Sequence, residues 1–151
     1  MKLFLIFTFS FFLAVGSLTC SGDFGAAKQA QGQSRATPIT DSASLISTLR
    51  AAGASVEVVG EVDQPFLSVT GTMIKIQGED VQVFQYSSAA DMEAQAALIS
   101  HDGTAVGTRK IHWIGSPHFF KQGRVLVLYV GNDDKVKKAL EAVLGQQFAG
   151  Q

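Results

Sequence analysis

Two histidines carry most of the chemistry this chain could do. His112 and His118 stand either side of Gly115, their midpoint. A three-residue loop over Ile114, Gly115 and Ser116 would set their imidazoles opposite each other across neighbouring strands. Facing imidazoles supply two metal ligands, while a stable site takes about three or four, so a carboxylate from elsewhere would have to complete it. The competing expectation is a pair of half-exposed strand histidines with no ligand role. The same stretch, IHWIGSPHFF, gathers Trp113, Phe119 and Phe120 around a Gly-Ser-Pro turn. Aromatics beside a loop form either a ligand wall, a partner hot spot or part of a sheet core. Strand alternation puts His112 and Trp113 on opposite faces, so one of the two points inward. His112, Trp113, His118 and Phe119 are therefore the candidate ligand or partner surface.

Other reactive residue types have simpler explanations. His101 stands at a helix C-terminus, where an imidazole meets the negative end of the helix dipole. Glu79-Asp80 and Asp133-Asp134 fall where a hairpin turn and a helix start want acidic residues. Cys20 precedes a polar segment with no base beside it, which argues against a nucleophile. The sequence has no G-x-S-x-G elbow, no G-x-G-x-x-G, no Gly-rich loop ending in Lys-Ser/Thr, no HExxH and no EF-hand spacing. No catalytic residues, metal site or cofactor are assigned from the sequence.

The elements that must position these residues read as follows. Asp41 or Thr40 caps a first helix with Leu45, Ile46, Leu49 and Ala52 on one face and Gly53 at its end. Val56, Val58 and Val62 read as a strand, and Pro65 separates it from a further strand over Phe66 to Thr70. TMIKIQ-GED-VQVFQY is a hairpin in which a loop from Gln77 to Asp80 pairs Ile76 with Val81 and Ile74 with Val83. Ser88 and Asp91 open a helix carrying Met92, Ala96 and Ile99. Strands over Thr108 to Ile114 and Arg124 to Val130 are joined through GSPHFFKQG, and VLVLYV is apolar on both faces, as in a central strand. Asn132 or Asp133 caps a last helix with Val136, Leu140, Val143 and Leu144 on one stripe, and Phe148 folds back as a plug. Residues 81 and 125 each begin a strand, polar turn and helix, an internal echo that any two such units also produce. The predicted class is α+β, a two-layer sandwich with a mainly antiparallel sheet and helices packed on it, in the order α-β-β-β-β-α-β-β-α.

Composition bounds the function class. The chain has 151 residues, 46% of them hydrophobic and 17% charged. That apolar share supports a packed core, and the low charge argues against a disordered chain. With 12 Lys and Arg against 13 Asp and Glu the net charge is −1, which lacks the electrostatic footprint of a nucleic-acid binder. One cysteine excludes an internal disulfide, a CxxC redox pair and a zinc ribbon.

The N-terminus carries an address. Met1-Lys2 is followed by LFLIFTFSFFLAV and then by GSLTC, ending at Cys20: a positive charge, an apolar run and a short small-residue stretch. The run is shorter than the roughly 20 apolar residues of a membrane-spanning helix. Ser21 to Pro38 is rich in Gly, Ala, Gln and Ser, a composition that buries too little surface to offset its ordering entropy. The expected organisation is an export signal over 1–19, a flexible linker over 20–38 and a single α+β domain over 39–151. The segment MKLFLIFTFSFFLAVGSLTC resembles the signal of bacterial lipoproteins, with Ser17, Leu18 and Thr19 before the cysteine. Together with QPFLSVTG, GEDVQVFQY and GRVLVLYVG in the body, the pattern resembles small bacterial lipoproteins of uncharacterised function. The resemblance implies Cys20 as the lipid attachment residue and a place in the cell envelope, held to the membrane. The alternative is ordinary secretion, with cleavage after Ser21 or Gly22.

These features point to a non-catalytic, membrane-anchored extracytoplasmic domain that binds a partner protein or a small ligand. The alternatives are a metal- or haem-handling module using His112 and His118, and a secreted enzyme of a type the motifs do not reveal. Ligand, partner and oligomeric state are not legible in the sequence.

Overall fold

The computed structural model describes residues 38–151. The expected export signal over 1–19, Cys20 and nearly all of the expected linker lie outside the described residues.

Local hydrogen bonds start each helix. Asp41 accepts from the Ser44 backbone N–H at 2.8 Å, and the Ser44 hydroxyl is met by the Asp41 N–H, so a reciprocal capping box opens α1 (Ser42–Ala51). Leu45 and Leu49, one turn apart, are its buried residues. A seven-residue strand β1 (Val56–Val62) pairs antiparallel with β2 (Gly71–Ile76). The stretch between them forms no strand, a departure from the expectation for Phe66 to Thr70. Phe66, Leu67 and Val69 instead lay apolar side chains onto one face of the sheet.

The hairpin from β2 into β3 (Glu79–Gln85) turns in two residues. Ile76 pairs with Glu79 and Ile74 with Val81. Gln77 and Gly78 both have positive φ, 55° and 93°, which is the geometry of a tight turn matched to strand twist. The expected four-residue loop is therefore corrected to two, a register slip of two positions. Because strand side chains alternate with period 2, Ile74, Ile76, Val81 and Val83 still share one face.

Ser88 caps α2 (Ala89–Ala96) through the Asp91 N–H. A small hairpin follows, β4 (Ala105–Val106) with β5 (Arg109–Lys110). The expected strand over Thr108 to Ile114 is thus reduced to two paired residues. The long strand lies in what reads as the connection: β6 (Pro117–Gln122) pairs with β7 (Val125–Val130) through a turn with Gly123 at φ 59°. PHFF is buried at every position, as a strand covered on both faces requires, and Pro117 stands at the strand start where its missing N–H is tolerated. Asp133 caps α3 (Asp134–Leu144), and Gly145 ends it at φ 82°. The chain then returns as β8 (Ala149–Gly150) along β6.

All these pairings are antiparallel, and the main sheet runs β1-β2-β3-β7-β6-β8. The α+β class, the antiparallel sheet and the three helices are as the sequence predicts. Helices lie on both faces. On one, α1 and α3 bury Leu45, Leu49, Val136 and Leu140 against Ile74, Val83, Val127 and Tyr129. On the other, α2 and the irregular segments cover Phe84, Phe119, Leu126 and Leu128 with Met92, Ala96, Val106 and Trp113. Each fully buried Leu or Phe contributes about 1.5–3 kcal/mol relative to exposure, so two-sided cover is favoured once β3, β6 and β7 are apolar on both faces. The internal echo ends here: Val81 and Val125 face the same cluster, yet α2 and α3 pack on opposite faces. Among the described residues no helix is long and apolar enough to cross a membrane.

Candidate functional site

His118 occupies the second position of β6 and is 3% exposed. It stacks on Tyr129 of β7, its cross-strand partner, with ring centroids 5.8 Å apart and planes 20° from parallel. Its Nε2–H donates to the Gly131 carbonyl at 3.0 Å, since a carbonyl can only accept. Nδ1 lies 2.6 Å from the side-chain amide of Gln147. The atom that faces Nδ1 is Oε1 of Gln147, an amide oxygen that accepts. Both ring nitrogens are therefore engaged inside the protein.

A cleft of about 440 Å³ opens beside this ring. His118, Gln147 and Gln151 line it from β6 and the C-terminal tail, and Asp134, Lys137 and Glu141 line it from α3. Lys137 pairs with Asp134 at 2.9 Å. The hydrogen bond from Lys137, with its charge, holds the Asp134 carboxyl below the usual carboxylate range. The tail is fixed to β6 by two backbone bonds: the Phe148 N–H donates to the Phe119 carbonyl at 2.9 Å, and the Gln151 N–H to the Pro117 carbonyl at 3.1 Å. The volume falls in the range of small-molecule sites, and the rim is charged and amide-rich.

The four surface candidates separate. His112 is exposed and lies outside the strands, so it does not face His118, whose strand partners are Tyr129 and Gly150. The expected facing pair is corrected for that reason: the loop Ile114–Ser116 does not connect two paired strands. Phe119 is fully buried among the apolar residues of the second face. Trp113 is partly buried there, edge-on to Phe66 at 5.6 Å and to Phe119 at 6.0 Å, and its Nε1–H donates to the Gly103 carbonyl at 2.7 Å. Phe120 is buried on the opposite face with α1 and α3. The aromatic cluster is core, and only His118 of the four lines the cleft. Among the described residues no group of three or more His, Cys, Asp or Glu side chains is placed to hold a metal.

Three aspartates, Asp91, Asp102 and Asp133, are engaged in turns and helix starts. Asp102 accepts from the Ser100 hydroxyl at 2.6 Å and from the Thr104 N–H and hydroxyl, and these bonds hold its carboxyl down at about 2. The Ser87 and Ser88 hydroxyls do the same, to a lesser degree, for Asp91. Asp133 serves α3 by accepting from the Lys135 and Val136 N–H groups.

Sequence reasoning missed two residues. Gln147 meets His118 only because the tail returns along β6, and no local pattern announces that. Tyr86, at the end of β3, lies in a second recess of about 380 Å³ with Val69, Asp91, Gln95 and Leu98. Its hydroxyl is buried without a hydrogen-bond partner, and that burial pushes the phenol up to about 12. No known protein family, curated protein or solved structure matches the chain.

Proposed function

We propose that this chain is a non-catalytic binding domain, held outside the cytoplasm on the cell membrane by a lipid on Cys20, and that it takes a small polar ligand or a polar segment of a partner protein. The observation that carries the reading is the cleft beside His118, where an imidazole edge, the amides of Gln147 and Gln151 and the charged groups of α3 converge. Such a surface combines charged and amide groups with a comparable share of apolar area, and its many hydrogen-bonding groups select a partner that carries polar groups.

Three further features support recognition over catalysis. Both nitrogens of His118 hold internal partners, so the ring has no free base. The carboxylates of Asp91, Asp102 and Asp133 serve turns and helix starts. Lys137 is tied to Asp134. The metal- or haem-handling alternative gains no support from this geometry, because His112 and His118 do not converge.

Native mass spectrometry of the protein extracted gently from its own membranes tests both halves of the proposal. The expected result is a mature chain beginning at Cys20 with added acyl mass, carrying a ligand or partner. An unlipidated chain cleaved beyond Cys20 would refute the anchor. Binding that persists unchanged after Gln147→Ala and after Lys138→Ala, a further α3 residue that lines the cleft, would refute the cleft.

A further inference from the structure

The longest free edge of the sheet carries a second surface. Among the described residues β1 pairs only with β2, so its outer row of backbone N–H and C=O groups has no strand beside it. Five consecutive residues, Glu57 to Glu61, are exposed, and Val58 and Val59 keep 52% and 53% of their surface in contact with solvent. At the register shift between Val58 and Gly60, Val59 has no partner on β2. The opposite edge, β8, has two residues and offers no comparable length.

Exposed edges invite another strand, and proteins deter this with lysine, proline, short length, other charges or a bulge. β1 has no lysine or proline and is seven residues long, so its guards are the bulge at Val59 and its own charges. Its charges are acidic: Glu57 and Glu61 on the strand and Asp63 just past it. The cations nearby are committed. Lys75, opposite Glu57 on β2, binds Asp80 at 2.7 Å, and Arg50 donates to the Val56 carbonyl at 2.9 Å, closing that end of the edge. A second copy of β1 laid against the first would bring the glutamates of both chains into one seam, where like charges facing each other destabilise a strand pair. A basic extended segment meets no such penalty, and its apolar residues would cover Val58 and Val59.

We infer that β1 is a docking edge for an extended, lysine- or arginine-bearing segment of a partner protein, which joins the sheet as a further strand. Backbone hydrogen bonds from Glu57 to Val62 supply the attachment, and the two glutamates select the charge. This surface lies apart from the cleft residues and stands whether or not that cleft binds anything.

The test uses the full chain and a capped heptapeptide of alternating valine and lysine, with a valine–glutamate peptide as control. Amide shifts and hydrogen exchange report where each peptide sits. The expected result is protection of Glu57 to Val62 by the lysine peptide alone. Glu57 and Glu61 stand opposite Lys75 and Thr72, three positions apart on β2, and so lie on opposite faces of the sheet, where the lysines of an alternating peptide pair with one of them. Binding should weaken roughly two- to fivefold in the Glu57→Gln, Glu61→Gln double variant, from that one cross-strand charge pair. Glu57→Gln and Glu61→Gln singly show which glutamate carries it and keep the test open should the double variant fold poorly. Equal binding of both peptides, or perturbation confined to His118 and α3, overturns the inference. So does concentration-dependent protection of β1 with no peptide, which would identify a second copy as the occupant.

Discussion

His118 and Gln147 are 29 residues apart in sequence and 2.6 Å apart in space, and their contact ties the C-terminal tail to the sheet. β8 pairs with β6 beside it, so one buried imidazole serves two purposes: it fills space over Tyr129 and fixes the segment that forms one wall of the cleft.

Substituting the two histidines should separate core from surface. His118→Ala removes a buried ring and leaves the Gly131 carbonyl without its donor, at a cost of about 2–4 kcal/mol. Gln147→Ala costs about 1 kcal/mol. His112→Ala, at an exposed position, stays within about 0.5 kcal/mol of zero. Urea denaturation gives all three values, and an equal effect of the two histidine variants would contradict the assigned burial.

The two tyrosines should behave in opposite ways. The Tyr129 hydroxyl accepts from the Asp133 N–H at 2.9 Å at the start of α3, so Tyr129→Phe strands a donor and costs about 1–2 kcal/mol. Tyr86 has no partner for its buried hydroxyl, so Tyr86→Phe is neutral or stabilising by up to about 1 kcal/mol. Thermal unfolding of the pair checks the sign of each.

Asp102 gives an acid-side prediction. Its carboxyl is depressed to about 2 from an ordinary 3.8, so the folded state binds its proton less readily than the unfolded chain. The stability it contributes is present above 3.8 and is lost as pH falls through about 2. Stability measured across that window should fall less steeply in Asp102→Asn than in the natural chain. Identical slopes would show that the Ser100 and Thr104 bonds do not persist in solution.

Gly123 and Gly107 share a φ of 59° and differ in surroundings. A Cβ at Gly107 meets nothing within 4 Å, whereas one at Gly123 runs into the Ile39 carbonyl. Gly107→Ala should therefore cost only the left-handed strain of about 1–2 kcal/mol. Gly123→Ala should add an overpacking cost of about 1–3 kcal/mol, because the turn between β6 and β7 must shift off Ile39. Chemical denaturation of the two variants measures the difference directly.

The sequence by itself determined the locally closed features. Asp41, Ser88 and Asp133 cap helices through bonds to residues two or three positions on, and VLVLYV is a central strand because both faces are apolar. These depend on short-range geometry, so composition and spacing suffice to read them. Tertiary structure decided what pairs with what. PHFF reads equally well as a connecting loop around a turn or as a strand, and only burial between β7 and β8 resolves it. The same resolution buried His118, exposed His112 and made Trp113 a core cover. It also left β1 at the edge, since no feature inside VEVVGEV states whether another strand lies beside it. Strand pairing is a long-range choice made by the total apolar area the sheet can cover, and no window of neighbouring residues contains that sum.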